Sequence, residues 1–164
     1  MRNKRNILFH FIELILILGF IFFVARLSVI HGPSMEGTLW DGDIVVVWQL
    51  GYEAKQGDVV IVNKKNPMNT YLTKRVVAVG GQHIATEDGC IAVNGVRLQE
   101  PYVPAGTQDF MLPDQEVPAG SVFILGDNRN HSTDSRDFGY IPETSVLGKV
   151  VWRIWPIGRI SAIE

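Results

Sequence analysis

Residues 71–81 read YLTKRVVAVGG. The β-branched run followed by two glycines predicts a strand that ends in a tight turn. Successive side chains alternate across a strand, so Leu72, Lys74, Val76 and Ala78 fall on one face. Three of these four are apolar, and that face is expected to point into a core. Arg75 falls on the opposite face, where it is expected to reach water. Lys74 is the anomaly, because a buried ammonium without a partner is among the costlier groups a fold can contain.

Strands of the same kind flank this one. WDGDIVVVWQL (residues 40–50) and GDVVIVN (57–63) are apolar and β-branched, and each contains a Gly-Asp turn. LSVIHG (27–32) reads as a strand, SVFILGDN (121–128) as a core strand running into a polar loop, and GKVVWRIWPIGRI (148–160) as a final strand pair or extended edge. The segment 82–120 differs. GCIAVNGVRL (89–98) has the hairpin signature, with Asn94-Gly95 as its turn, and Pro101, Pro104, Pro113 and Pro118 mark loops. It reads as a small β-subdomain inserted into the main sheet. The expected fold is mainly β, a partly closed antiparallel barrel-like domain over residues 26–164.

Ahead of it lies ILFHFIELILILGFIFFVA, residues 7–25. Nineteen residues of helix span about 28 Å, close to the roughly 30 Å hydrocarbon core of a bilayer. His10 and Glu13 interrupt an otherwise apolar surface, and the surrounding leucine, isoleucine and phenylalanine outweigh them. The run reads as an uncleaved transmembrane anchor. Phe23 occupies the place where a cleavage site before Arg26 would want a small residue. Arg2, Lys4 and Arg5 precede the run, which places residues 1–6 in the cytoplasm and the β-rich part outside the membrane.

Of 15 basic residues, all but Arg2, Lys4, Arg5 and Arg26 lie beyond position 26; of 17 acidic ones, all but Glu13 do. The balance there is 11 against 16, and no basic stripe points to nucleic acid. Cys90 is the sole cysteine, so no internal disulfide is available. No Cys/His set has zinc spacing, and no cofactor is implied. Oligomeric state is not legible.

Two polar stretches can carry chemistry. HGPSMEGTLW (31–40) sets Ser34 among Gly32, Pro33, Met35 and Gly37. Such a serine is commonly a turn residue, yet neighbouring glycines also admit a substrate backbone and free N–H groups for an oxyanion. GDNRNHSTDSRDFG (126–139) fails as a calcium loop, because Arg129 and His131 stand where ligand oxygens belong. In it Asp134 and Arg136 can pair and brace a loop that turns Ser132 or Ser135 inward. A serine nucleophile needs a base, and a lysine serves only if it is neutral near working pH. Desolvation lowers a lysine pKa, and about 2 units corresponds to roughly 2.7 kcal/mol, tolerable for a domain stable by about 5–15 kcal/mol. Leu72, Val76 and Ala78 would then set the base. The plainer alternative is that Lys74 reaches a carboxylate such as Asp134.

Taken together, Ser34-Met35…Thr38-Leu39, Lys74-Arg75…Gly80-Gly81, and Gly126-Asp127-Asn128-Arg129 through Ser132, Asp134, Ser135 and Arg136, behind an apolar N-terminal run, resemble the type I signal peptidase family. The short length resembles its Gram-positive branch. The resemblance implies that Ser34 would attack the scissile carbonyl of a preprotein signal peptide and that Lys74 would take its proton. It implies that Ser132 would hydrogen-bond the Lys74 amine, that Asp134 and Arg136 would form a bracing pair, and that Asp127 would help hold their loop. Gly32, Pro33 and Met35 would belong to the substrate and oxyanion loop. Gly37 stands where the family usually has proline, and is expected to leave that loop more mobile. Leu72 stands where an aromatic residue is common, and Gly32 where some members use a serine hydroxyl. Two other readings share these residues. One is a self-cleaving Ser–Lys peptidase of the DNA-damage repressor type, against which the apolar run and acidic balance argue. The other is a catalytically silent, membrane-tethered β-module that binds extended peptides, against which the intact Ser34 and Lys74 argue.

Overall fold

The computed structural model describes residues 9–14, 19 and 24–164. Twelve strands follow in chain order: β1 (Ala25–Val29), β2 (Ile44–Trp48), β3 (Val59–Val62), β4 (Leu72–Val79), β5 (His83–Glu87), β6 (Cys90–Val93), β7 (Val96–Arg97), β8 (Gln115–Glu116), β9 (Ser121–Leu125), β10 (Ile141–Pro142), β11 (Val146–Trp155) and β12 (Ser161–Ala162). A one-turn helix, Ser135–Phe138, precedes β10. The main sheet has eight strands in the order β1-β2-β11-β3-β4-β9-β10, with β12 on β11. Its described pairings are antiparallel. It is curled into a half-barrel, and β1 and β10 remain its two ends.

The β-branched runs become strands as their alternation requires, with one exception of placement. The segment read as a closing strand pair or edge contributes β11, a ten-residue strand at the interior of the sheet between β2 and β3. Its partners are distant in sequence, so local pattern gave no clue to its position. In β2, Val45 and Val47 turn inward while Trp48 stays exposed.

The second sheet, β7-β6-β5-β8, occupies the segment read as an insertion. Asn94 and Gly95, both at positive φ, make the tight turn between β6 and β7. This sheet has no core of its own. Ile84, Ile91, Val93 and Leu112 pack with Val77, Ala78, Phe123 and Leu125 of the main sheet in one cluster. The two sheets are therefore layers over a shared core.

A bulge between Val76 and Ala78 modifies the expected face of β4. Leu72 and Val76 pack with Val60 and Ile124, whereas Ala78 joins the cluster under the second sheet. Arg75 does not reach water. It is 2% exposed, because β4 lies inside the sheet and is covered on both faces.

The expected anchor, residues 7–25, lies mainly outside the described residues. Residues 9–14 are helical, and Ala25 already belongs to β1. Among the described residues no helix is long and apolar enough to cross a membrane.

Candidate active site

Ser34 lies in the turn that follows β1. The turn is tied by the Glu36 N–H donating to Pro33 O and the Thr38 and Leu39 N–H groups donating to Met35 O, at 2.8–3.0 Å. Met35 and Leu39 are buried in the core with Ile30 and Val45, so the turn is anchored on both sides of the serine. The Gly32 N–H donates to Asp41 Oδ1 at 2.8 Å and is thereby occupied. Among the described residues the Ser34 N–H makes no hydrogen bond.

Lys74 Nζ lies 2.7 Å from Ser34 Oγ. The lysine is 4% exposed and has no carboxylate within ion-pair distance among the described residues. Burial lowers its pKa to about 8, and the Arg136 guanidinium pushes the same way. The Asp134 and Asp127 carboxylates oppose that shift without cancelling it. Burial dominates because Leu72, Val76 and Val60 surround this face of the sheet. A neutral amine at hydrogen-bond distance from a hydroxyl can accept its proton.

The third polar stretch encloses the pair. Asp134 is fully buried; its carboxylate accepts from the Gly126 N–H at 3.0 Å and from Arg136 Nε and Nη2 at 2.8 and 2.9 Å. It also caps the Ser135–Phe138 helix, with Asp137 completing a capping box. Ser135 Oγ accepts from the Ile124 N–H of β9. The Asn128 N–H donates to Ser34 O at 3.1 Å, and its side chain donates to Pro33 O. At Gly126 a side chain is excluded, because a Cβ would collide with Ser132 and with the Ser34 carbonyl.

Two features depart from expectation. Ser132 does not hydrogen-bond Lys74; its hydroxyl is buried beside Gly126 and has no partner among the described residues. Arg75, taken for a surface cation, is the most heavily bonded side chain near the pair. It holds Asp127 through two hydrogen bonds of 2.8 and 2.9 Å, and it donates to Gly57 O, Glu164 O and Thr38 Oγ1. His131 is exposed, and its ring meets Asn128 Oδ1.

Sequence reasoning quoted Arg75, Thr38 and Asn128 within its motifs but gave them no role of their own, and it missed Tyr102, whose ring lies over the Arg75 guanidinium. For Arg75 a signal was present. The unbroken run Val76-Val77-Ala78 marks a strand covered on both faces, which leaves no route to water for its neighbour.

A family model described as signal peptidase, peptidase S26, matches residues 3–155. The chain belongs to this family. Signal peptidase I of Leptolyngbya laminosa is 32% identical over 162 residues, covering 93% of this chain and 79% of that protein. Signal peptidase IB of Staphylococcus aureus strain COL is 33% identical over 182 residues, covering 96% and 94%. Among solved structures, a signal peptidase I from Enterococcus faecalis V583 superposes with a TM-score of 0.51 at 30% identity, over 61% of this chain and 98% of that one. In the signal peptidase family, then, this chain is a serine endopeptidase by descent, and the fold agreement extends to the curled main sheet.

Proposed function

We propose that the chain is a membrane-anchored signal peptidase that uses Ser34 as nucleophile and Lys74 as general base. Neutral Lys74 takes the Ser34 proton as Oγ attacks the scissile carbonyl of a preprotein. The Ser34 N–H donates to the oxyanion. The ammonium then returns the proton to the leaving amine, and the C–N bond breaks. Water, deprotonated by the same amine, hydrolyses the acyl-enzyme. Asp134 and Arg136 brace the loop behind the lysine, and Asp127 holds that loop to β4 through Arg75. Ser132 is assigned to steadying the neutral amine; its hydroxyl is available because nothing else engages it.

The signal peptide adds as an extended strand beside the site. Residues 7–25 anchor the chain, with residues 1–6 cytoplasmic and the catalytic part extracytoplasmic. In support of a bilayer partner, Trp48, Trp152, Ile154, Trp155, Ile157 and Ile160 are exposed on or just beyond β2 and β11, next to the strand that leaves the apolar run. Indole rings of this kind favour the lipid–water boundary.

The observation that carries the reading is the 2.7 Å contact between Ser34 Oγ and a lysine stripped of water. Its test is cleavage of a preprotein by full-length protein in detergent. Ser34→Ala and Lys74→Ala should each lose activity while retaining the wild-type circular dichroism spectrum, and His131→Ala should retain activity. Sustained turnover by Ser34→Ala would overturn the assignment.

A further inference from the structure

Residues 100–104 leave the second sheet and cross to the nucleophile turn, where they meet three separate parts of the site. The Tyr102 ring lies over the Arg75 guanidinium, with Cζ 3.8 Å from the ring centroid. The Tyr102 carbonyl presses against Gly37; a Cβ there would approach it to 2.6 Å. Glu100 pairs with buried Arg129 of the third polar stretch and accepts from the Tyr102 hydroxyl at 3.1 Å.

Gly37 sits at φ +110°. Proline, with φ near −65°, cannot take that conformation. The glycine that marks this chain within the resemblance is thus the residue that admits the Tyr102 carbonyl.

Arg75 adds the second half of the argument. A guanidinium has five N–H donors, and all five are spent on Asp127, Gly57, Glu164 and Thr38. Only its flat faces remain without partners, and a weakly hydrated planar cation stacks well on an aromatic ring. Burial, with Glu100 beside it, raises the Tyr102 hydroxyl pKa, so the ring stays neutral over the working range.

We propose that residues 100–104 form a strap that holds the Ser34 turn and the Lys74 strand in mutual register, with Tyr102 as its positioning residue. The strap works through two neighbours of the reacting groups. Arg75 follows Lys74 in β4, and Gly37 lies three residues past Ser34. It ties the loop that leaves the second sheet to catalysis. This assignment rests on the Ser–Lys reading above.

The test uses the full chain in detergent and a preprotein substrate, at a temperature where thermal denaturation shows every variant folded. A misplacement of about 1 Å can cost on the order of 100-fold, so Tyr102→Ala should lower kcat by about 10- to 100-fold with KM within about twofold. Tyr102→Phe keeps the ring and should stay within about threefold of wild type, since the stacking surface is intact. If Tyr102→Ala does not fold, Tyr102→Leu decides, because it refills the volume without the flat face. A folded Ala or Leu variant with wild-type kcat overturns the strap, as does a Phe variant that falls as far as Ala. Ser34→Ala is run alongside. Activity there overturns the Ser–Lys reading itself, whereas an inactive Ser34→Ala with wild-type Tyr102 variants overturns the strap alone.

Discussion

Lys74 and Arg75 are adjacent cations in one strand, both nearly inaccessible, and their surroundings could hardly differ more. Among the described residues the Lys74 side chain has a single hydrogen bond, to an uncharged hydroxyl. Arg75 has a carboxylate in a two-point grip, three further acceptors and an aromatic cover. The first environment penalises positive charge and leaves the proton loosely held. The second rewards it and fixes the side chain permanently. Burial alone therefore says nothing about role; the partners at the charged end decide whether a buried cation is a base or a strut.

The sharpest way to break this contrast is to make the two residues alike. In Lys74→Arg the charge remains but the group cannot give up its proton at any working pH. Loss of a general base reduces rate by about 100- to 10,000-fold, and that fall in kcat/KM is expected, measured by preprotein cleavage. Activity near wild type in this variant would show that proton transfer does not run through position 74. In the unaltered protein, kcat/KM should rise with pH on its acid side with an inflection near the lysine pKa of about 8, since only the neutral amine is competent.

Next in size is the removal of the strut. Arg75→Met leaves Asp127 buried at 1% exposure without its cation. Uncompensated charges of this kind cost about 3–5 kcal/mol. Urea denaturation should show a loss of that order, and restoring neutrality with Arg75→Met plus Asp127→Asn should recover part of it. A single variant as stable as wild type would mean that Asp127 finds water, and that the strand is not covered as described.

The same contrast explains how far the sequence could be read. The strands and the hairpin were legible because their determinants are local, namely β-branched runs, Gly-Asp turns and the Asn94-Gly95 pair. Lys74 was legible as a lysine on an apolar face because Leu72 and Val76 sit in the same strand; the bulge that turns Ala78 away from them was not. The environment of Arg75 was not, because its partners come from everywhere else. Asp127 lies 52 residues away, Thr38 lies 37 away, and Tyr102 belongs to a loop rich in proline that carries no pattern of its own. The interior position of β11 was hidden for the same reason, since strand order is set by pairings between distant segments. Of the third polar stretch, the Asp134–Arg136 pair could be read from a spacing of two. The unpartnered hydroxyl of Ser132 could not, because it depends on how closely Gly126 lets the loop approach the Ser34 carbonyl.

The smallest expected effect concerns stability at position 74 and turns on sign. The folded pKa of Lys74, about 8, lies below its ordinary value of 10.5. Between those values the unfolded chain binds more protons, so this group's contribution makes the protein more stable as pH rises through that window. Below about pH 8 the group is charged in both states, and the whole penalty of burying an ammonium is present. Lys74→Met removes the charge while keeping most of the side-chain volume. It should therefore stabilise the protein at pH 7, by about 1–3 kcal/mol once the lost hydrogen bond to Ser34 is set against the relieved desolvation. The advantage should shrink as pH rises from about 8 and be gone above about 10.5, once wild-type Lys74 is largely neutral in the unfolded chain as well. Urea midpoints of the two proteins, measured at several pH values across that window, read the effect directly. A difference that stays constant with pH would mean that Lys74 keeps an ordinary pKa in the fold, and the distinction between base and strut would then have to rest on geometry alone.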